Sequence, residues 1–425
     1  MNKKLEGIKV EVKIPGDKSI SHRAFMISSI SKGKVKINNF LYSEDLISTI
    51  RCLKNLGVKI EINNKEAIVH GNGLYSLKEY SGILDARNSG TTMRLLSGIL
   101  SGHKFTSVID GDASLRKRPM DRIVKPLSLM GANIYAENSQ KFSPLHIKGN
   151  DLCSIEYKME VDSAQVKSSI LLAGLYADSI TKVYENVKTR DHTERMLKYF
   201  GCNINYKDNE VYIEKSDLYS KDIFIPGDIS SASFLMALFA CIKNSQLTIK
   251  DVGVNTTRTG IINVLVSMGV KVEFLNKREI NLEEVCDIRI YGTDELKPIS
   301  INGNIIPTLI DEVPIICVLC VFAKGDSYIK DINELKYKES NRIKVLVSEF
   351  KKLGINIEEI ENGIKITGER KVKGAKVKSY KDHRIAMALT ILAYVSGENI
   401  VIENKECVYV SFPYFYETLK EILNY

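Results

Sequence analysis

Tryptophan is absent from the 425 residues, proline occurs only 9 times, and histidine 6 times. Without tryptophan, and without a basic block interleaved with aromatics, little supports stacking on nucleic-acid bases. The longest apolar run, Val313 to Ala323, falls well short of the ~20 residues a membrane helix needs. No apolar stretch follows Met1-Asn2-Lys3-Lys4-Leu5-Glu6, so no targeting segment is expected and a cytoplasmic protein is. The 8 cysteines are scattered, which excludes a disulfide framework. Cys317 and Cys320 form a CxxC, but inside Ile315-Ile-Cys-Val-Leu-Cys-Val-Phe322, with no polar turn and no second ligand pair. They read as buried thiols, and with no HxxxH spacing among the histidines no metal is expected. What remains, 44% hydrophobic and 26% charged, is an ordinary globular composition. The length exceeds the ~250–300 residues at which single cores stop growing, so two domains are expected.

The net charge of +8 is carried mostly by lysine. Lysine dispersed among acids is a solvated surface, so the scarcer arginines are the better guide to a site.

A short pattern recurs: an amphipathic helix end, a glycine, then an alternating strand. It reads Leu53-Lys-Asn-Leu-Gly57-Val-Lys-Ile, and returns around Gly131, Gly201, Gly269 and Gly354. The glycine suits a left-handed helix C-cap, and the alternation beyond suits a half-buried strand. A sixth helix, Phe415 to Leu423, opens the same way where the chain ends. Above this lies a second repeat, Ile14-Pro15-Gly16-Asp17 and Ile225-Pro226-Gly227-Asp228, close to half a chain-length apart. Each precedes a serine-rich helix start, which suggests two connecting strands between duplicated halves. The halves differ chemically: Lys18, His22 and Arg23 in the first answer to Ile229, Ser233 and Phe234 in the second.

Several segments carry charge to helix starts. Pro15-Gly16-Asp17-Lys18-Ser19-Ile20-Ser21-His22-Arg23 offers free N–H groups and two cations, an anion site without the earlier glycine of a Walker loop. Asp85-Ala-Arg87-Asn88-Ser89-Gly90-Thr91-Thr92-Met93-Arg94 is a second such start, where Gly90 lets a ligand approach the backbone. Arg116-Lys117-Arg118 lies before Pro119. Ser163-Ala164-Gln165 opens an apolar helix, and Arg190-Asp191-His192-Thr193-Glu194 follows, with His192 read as structural. In the second half Asp311 borders the apolar run, and Lys338-Glu339-Ser340-Asn341-Arg342 and Asp382-His383-Arg384 put acid and base within a turn, where local salt bridges are the plain reading. Together these segments suit a highly anionic substrate pair bound between two closing domains, with carboxylates retained for proton transfer.

The ordered motifs PGDKSISHR, RNSGTTMR, GDASLRKRPM, SAQVKS, TRDHTE, KESNR and KDHR resemble the 5-enolpyruvylshikimate-3-phosphate (EPSP) synthase family along the whole chain. The resemblance implies an α/β fold of two domains, each of three βαβαββ units about a pseudo-threefold axis. The first domain would span 17–226, the second 1–16 and 227–425, joined by crossover strands near Pro15 and Pro226. It implies enolpyruvyl transfer from phosphoenolpyruvate to the 5-hydroxyl of shikimate 3-phosphate, no cofactor, a monomer, and neither nucleic-acid nor membrane partners. Shikimate 3-phosphate would meet Lys18, Ser19, Arg23, Ser163, Ala164, Gln165, Arg190, Asp311 and Lys338. Phosphoenolpyruvate would meet Lys18, Gly90, Arg118, Gln165, Arg342 and Arg384. Asp311, Glu339 and Lys18 would carry the catalysis.

Two positions depart from many members: Val410 stands where a lysine precedes Ser411-Phe412-Pro413, and Leu95 where proline follows Met-Arg. With SAQVK, RDHTE and Asn255-Thr256-Thr257-Arg258 the chain is similar to the second class of the family, often poorly inhibited by glyphosate. The sister transferase acting on UDP-N-acetylglucosamine is the nearer alternative, but works with a loop cysteine that Arg116-Lys117-Arg118 lacks. A non-enzymatic anion binder on the same scaffold would have no use for Asp311 and Glu339 among its cations.

Overall fold

The recurrent motif is one architectural unit in the computed structural model, which describes residues 6–137 and 141–423. The unit is complete in strand Ile83–Asp85, helix Gly90–Ser101, strand Thr106–Asp110, helix Asp121–Leu129 and the hairpin Asn133–Ala136 and Phe142–Lys148. Its first two strands pair in parallel. The last strand pairs antiparallel with the second, leaving the first hairpin strand at the far edge. The same order recurs in the sheets built on Thr181–Tyr184 and on Gly325–Lys330.

Two of the first-position strands are exchanged along the sequence. Lys9–Lys13 pairs in parallel with Gln246–Gly253, and Ile223–Phe224 with Lys32–Asn38. The two Ile-Pro-Gly-Asp segments follow directly on these strands. The sixth repeat has only the parallel pair Lys376–Lys378 and Val401–Glu403, and ends on helix Phe415–Leu423 without a hairpin.

Two compact units result. One comprises Gly16–Ile225 with Ile280–Glu283, the other Met1–Pro15, Pro226–Glu279 and Glu284–Tyr425. Residues 280–283 were expected with the second half of the chain. They belong to the first unit because its own groups hold them: Glu283 Oε1 lies 2.7 Å from His192 Nδ1, Arg195 Nη1 donates to the Leu282 carbonyl, and Asn281 Nδ2 donates to that of Phe224.

Within each unit three helices are buried nearly all round. In Gly16–Ile225 they are Lys18–Ser29, Gly90–Ser101 and Ala164–Gly174; in the other, Ile229–Ala240, Val313–Phe322 and His383–Ser396. Lys18–Ser29 and Ala164–Gly174 bury polar side chains that are hydrogen-bonded or ion-paired, whereas Ile229–Ala240 and Val313–Phe322 are apolar on nearly every side, so no face of them gains from water. Cys317 and Cys320 sit in such a helix, and burial pushes the Cys320 thiol up to about 12. Five of the outer helices end at the repeated glycines, whose φ values lie between 73° and 94°, a region that side chains disfavour. Among the described residues no helix is long and apolar enough to cross a membrane.

His22, wholly buried on the first inner helix, has its Nδ1 2.7 Å from Thr49 Oγ1. Burial, then Lys18 and Arg23, push its pKa from 6.5 down to about 3. Between those values the unfolded chain binds more protons than the folded one. This contribution to stability is therefore complete above pH 6.5 and is lost as pH falls toward 3, at up to about 1.4 kcal/mol per pH unit. Urea unfolding of His22→Gln should show a pH slope shallower by up to one proton across that window. Equal slopes would contradict a buried neutral ring.

Candidate functional site

The inner helices turn their starts into polar ground, since the first backbone N–H groups of a helix have no partner within it. Asp17 caps the first, its Oδ1 accepting from the Ile20 N–H at 2.9 Å. Lys18 Nζ then lies 3.1 Å from Asp45 Oδ2, both partly shielded. One turn on, Arg23 is 3% exposed and donates to Thr193 Oγ1 (2.6 Å), Ser168 Oγ (2.8 Å) and the Ser19 carbonyl (2.9 Å). Burial lowers its pKa to about 10, with Glu194 and Asp17 opposing, so it stays cationic at neutral pH.

The second start is capped by Ser89, whose Oγ accepts from the Thr92 N–H at 3.1 Å. A chain of hydroxyls, Ser89–Thr92–Thr49, links it to His22. A Cβ placed on Gly90 would come 2.8 Å from Arg94 Nη1 and 3.5 Å from Arg118 Nη1. This glycine therefore lies bare beneath two guanidinium groups. Arg94 Nη1 donates to Gln165 Oε1 (2.6 Å), while Gln165 Nε2 donates to Thr91 Oγ1 (2.9 Å), tying the second start to the third. Arg118 Nη2 donates to Asn88 Oδ1 at 2.6 Å. Of the three cations before Pro119, Arg118 alone reaches this ground: Arg116 pairs with Asp110 and Lys117 is exposed. Ser163 and Ala164 open the third helix, and the Ser163 hydroxyl makes no capping hydrogen bond. Arg190 lies half-buried just before helix His192–Tyr199.

Behind the third start, Lys167 is fully buried, its Nζ 2.6 Å from Glu194 Oε1 and 2.9 Å from Glu185 Oε2. Burial pushes this ammonium down, but the two carboxylates outweigh it and hold the pKa above its ordinary value.

In the other unit the centre is Asp311, 9% exposed, at the start of helix Val313–Phe322. Lys338 Nζ is 3.2 Å and Arg342 Nη1 3.5 Å from its Oδ1, and Arg384 Nη2 is 3.8 Å from its Oδ2. Arg384 Nη1 also donates to the Asp311 carbonyl at 3.1 Å. Arg342 is oriented by carboxylates on both sides: Nη2 donates to Glu339 Oε2 at 2.6 Å, and Nε to Asp382 Oδ2 at 2.8 Å. Burial opposes its charge, but Asp382 and Glu339 hold its pKa well above the ordinary arginine value. The expected local salt bridge is present between Glu339 and Arg342 and absent between Asp382 and Arg384. Asp382 instead caps the Arg384 backbone N–H and reaches forty residues back to Arg342, because a carboxylate at a helix start faces its own N–H groups.

Lys18, Ser19, Arg23, Gly90, Arg118, Ser163, Ala164, Gln165 and Arg190 thus belong to one unit, and Asp311, Lys338, Glu339, Arg342 and Arg384 to the other. Four supporting groups were given no role from sequence: Arg94, Lys167, Glu312 and Asp382. Glu312, fully buried, accepts from Ser230 Oγ and lies 3.6 Å from Arg384 Nη1. Arg94 could have been found from its four-residue spacing after Gly90; Asp382 stood out as an acid beside a base but with the wrong partner, and Glu312 carries no such signal. Among the described residues no group of three or more His, Cys, Asp or Glu side chains is arranged to hold a metal ion.

Six repeated α/β units with cations gathered at buried helix starts define an anion-handling protein. A family model described as EPSP synthase (3-phosphoshikimate 1-carboxyvinyltransferase) matches residues 3–419. The chain is 50% identical over 421 residues to the 3-phosphoshikimate 1-carboxyvinyltransferase of Thermodesulfovibrio yellowstonii, covering 98% of each protein. It is 46% identical to that of Bacillus subtilis, covering 99% of this chain and 98% of the other. A solved EPSP synthase from Acinetobacter baumannii superposes with a TM-score of 0.87 at 40% identity, covering 98% of this chain and 96% of that one. The chain belongs to the EPSP synthase family.

Replacing Lys167 by methionine leaves Glu185 and Glu194 buried without their counter-charge. Breaking a buried pair in this way costs about 3–5 kcal/mol, to be read by chemical denaturation at neutral pH. A loss under about 1 kcal/mol would show that the carboxylates find another partner or take up protons cheaply.

Proposed function

We infer that this protein transfers the enolpyruvyl group of phosphoenolpyruvate to the 5-hydroxyl of shikimate 3-phosphate and releases phosphate. The observation that carries the reading is Asp311, a largely buried carboxylate ringed by Lys338, Arg342 and Arg384. A group that only bound anions would be weakened by it; a group that must take a proton beside anions needs it. The family match over nearly the whole chain supports the same substrates.

In this reading Lys18, Ser19, Arg23, Ser163, Ala164, Gln165 and Arg190, with Asp311 and Lys338, hold shikimate 3-phosphate. Lys18, Gly90, Arg118, Gln165, Arg342 and Arg384 hold phosphoenolpyruvate. The chemistry is addition followed by elimination. A proton is added to the methylene carbon of phosphoenolpyruvate, C2 becomes electron-poor, and the sugar oxygen bonds to it while its proton passes to Asp311. The tetrahedral intermediate then loses one methyl proton, the double bond reforms, and the C2–O bond to phosphate breaks. Glu339 and Lys18 serve the methylene and phosphate sides, and the arginines hold developing negative charge without reorganising. The protein acts as a cytoplasmic monomer without a cofactor, tolerant of glyphosate at concentrations that match its phosphoenolpyruvate requirement.

Phosphate release should occur with phosphoenolpyruvate and shikimate 3-phosphate, and not with UDP-N-acetylglucosamine as acceptor. Asp311→Asn should lower kcat by about 10²–10⁴, the usual contribution of a general base. Release with the nucleotide sugar, or an Asn variant of near-normal rate, would overturn the substrate or the base respectively.

Gly90→Ala places a methyl 2.8 Å from Arg94 Nη1, an atom at the end of a flexible side chain. The fold should tolerate it. The KM for phosphoenolpyruvate should rise several-fold as Arg94 and Arg118 shift, with that for shikimate 3-phosphate changing less. Equal effects on both KM values would place Gly90 outside the phosphoenolpyruvate subsite.

A further inference from the structure

Arg23 is held in an unusual way for a buried cation. Its three hydrogen-bond acceptors are two hydroxyls and a carbonyl, Thr193 Oγ1, Ser168 Oγ and Ser19 O, while the carboxylates of Glu194 and Asp17 act on its charge through space. The hydroxyls also bond one another at 2.7 Å, and Ser168 Oγ donates to the Ala164 carbonyl at 2.6 Å.

The proton inventory settles the direction of this chain. A hydroxyl has one proton and two acceptor sites. Ser168 gives its proton to Ala164 O, so Thr193 must give its own to Ser168. Ser168 then accepts from Thr193 and from Arg23 Nη2, and Thr193 accepts from Arg23 Nε. Ser168 thus uses its proton and both acceptor sites, Thr193 its proton and one acceptor site, and no other orientation satisfies all four contacts.

We propose that Ser168 and Thr193 are positioning residues that fix the Arg23 guanidinium while leaving its charge uncompensated for the anionic substrate. A guanidinium has five N–H donors; with three committed, two remain, one on each terminal nitrogen. A carboxylate in place of either hydroxyl would fix the group equally well but would neutralise it. The hydroxyls are set in register by the ion pair behind them: Lys167 precedes Ser168, Glu194 follows Thr193, and the two are joined at 2.6 Å. The proposal rests on the assignment of Arg23 to shikimate 3-phosphate.

The test is calorimetric titration of the full-length protein with shikimate 3-phosphate alone, paired with steady-state kinetics. Thr193→Val keeps the shape and removes the hydroxyl, and should weaken shikimate 3-phosphate binding about tenfold or more, the scale of a lost hydrogen bond to a charged group. The KM for phosphoenolpyruvate should stay within about twofold, and Thr193→Ser should restore binding to within about threefold. In an Arg23→Gln background, Thr193→Val should add nothing further. Should Thr193→Val not fold, Ser168→Ala removes the other hydroxyl and carries the same expectation. Normal binding by a folded Thr193→Val, or Thr193→Ser as weak as Thr193→Val, overturns the positioning role. Normal binding by Arg23→Gln alone instead overturns the assignment of Arg23, and the proposal with it.

Discussion

The constraint on which the molecule depends is that its inner helices are buried all round. Ile229–Ala240 has no exposed residue, and its counterparts come close. Such a helix has no side open to water on which to build chemistry, but it cannot avoid having a start. There the unpaired N–H groups and the dipole favour anions over any other ligand. The functional side chains therefore collect where the fold already has positive potential, and cations at these starts reinforce that potential.

A second consequence concerns stability. Cations and carboxylates placed at the starts of buried helices are themselves nearly buried, and each must be matched. The two units match them differently. Around Asp311 the matching is direct, cation to carboxylate, with Glu312 and Asp382 as further acids and Arg384 and Arg342 between them. Around Arg23 the matching is at one remove: neutral oxygens hold the cation, and the acids stand behind it, tied to Lys167.

Much of this was legible in the residues. The repeated glycines announced helix ends because a positive φ is costly for other residues, and five such glycines at comparable intervals expose the repeat. Two of the inner helices were legible as apolar runs, the one that opens at Ser163-Ala164-Gln165 and the one within Val313 to Ala323. Lys18, Gly90 and Gln165 were legible at helix starts, and Arg23 as a cation just beyond one. What was not legible is pairing across the chain. Nothing near Asp382 in sequence indicates that its partner is Arg342 rather than Arg384, and nothing in Glu312 separates it from its neighbour Asp311. Ser168 and Thr193 were lost for another reason: hydroxyls at helix starts are common caps, and only the arrival of Arg23 from a different helix gives them a task. Residues 280–283 were misplaced likewise, since the two-residue turn Asn281-Leu282 carries no sign of the groups that hold it.

The contrast between Arg23 and Arg342 shows why one fold would keep both kinds of matching. Burial works against the charge of each. Arg342, bonded to Asp382 and Glu339, nevertheless holds its proton more tightly than a free guanidinium, whereas Arg23 holds its own less tightly. The first arrangement gives a cation fixed in position whose field is largely spent on its own carboxylates. It can orient a ligand oxygen, and on the proposed reading Asp311 beside it takes the proton. The second gives a cation whose field is still unspent, which suits capture of a multiply charged anion from water. On that reading a single arrangement could not serve both ends: unmatched cations would favour a carboxylate that keeps its charge, and a carboxylate on Arg23 would repel an anionic ligand. Separate helix starts, each with its own supporting groups, remove the conflict.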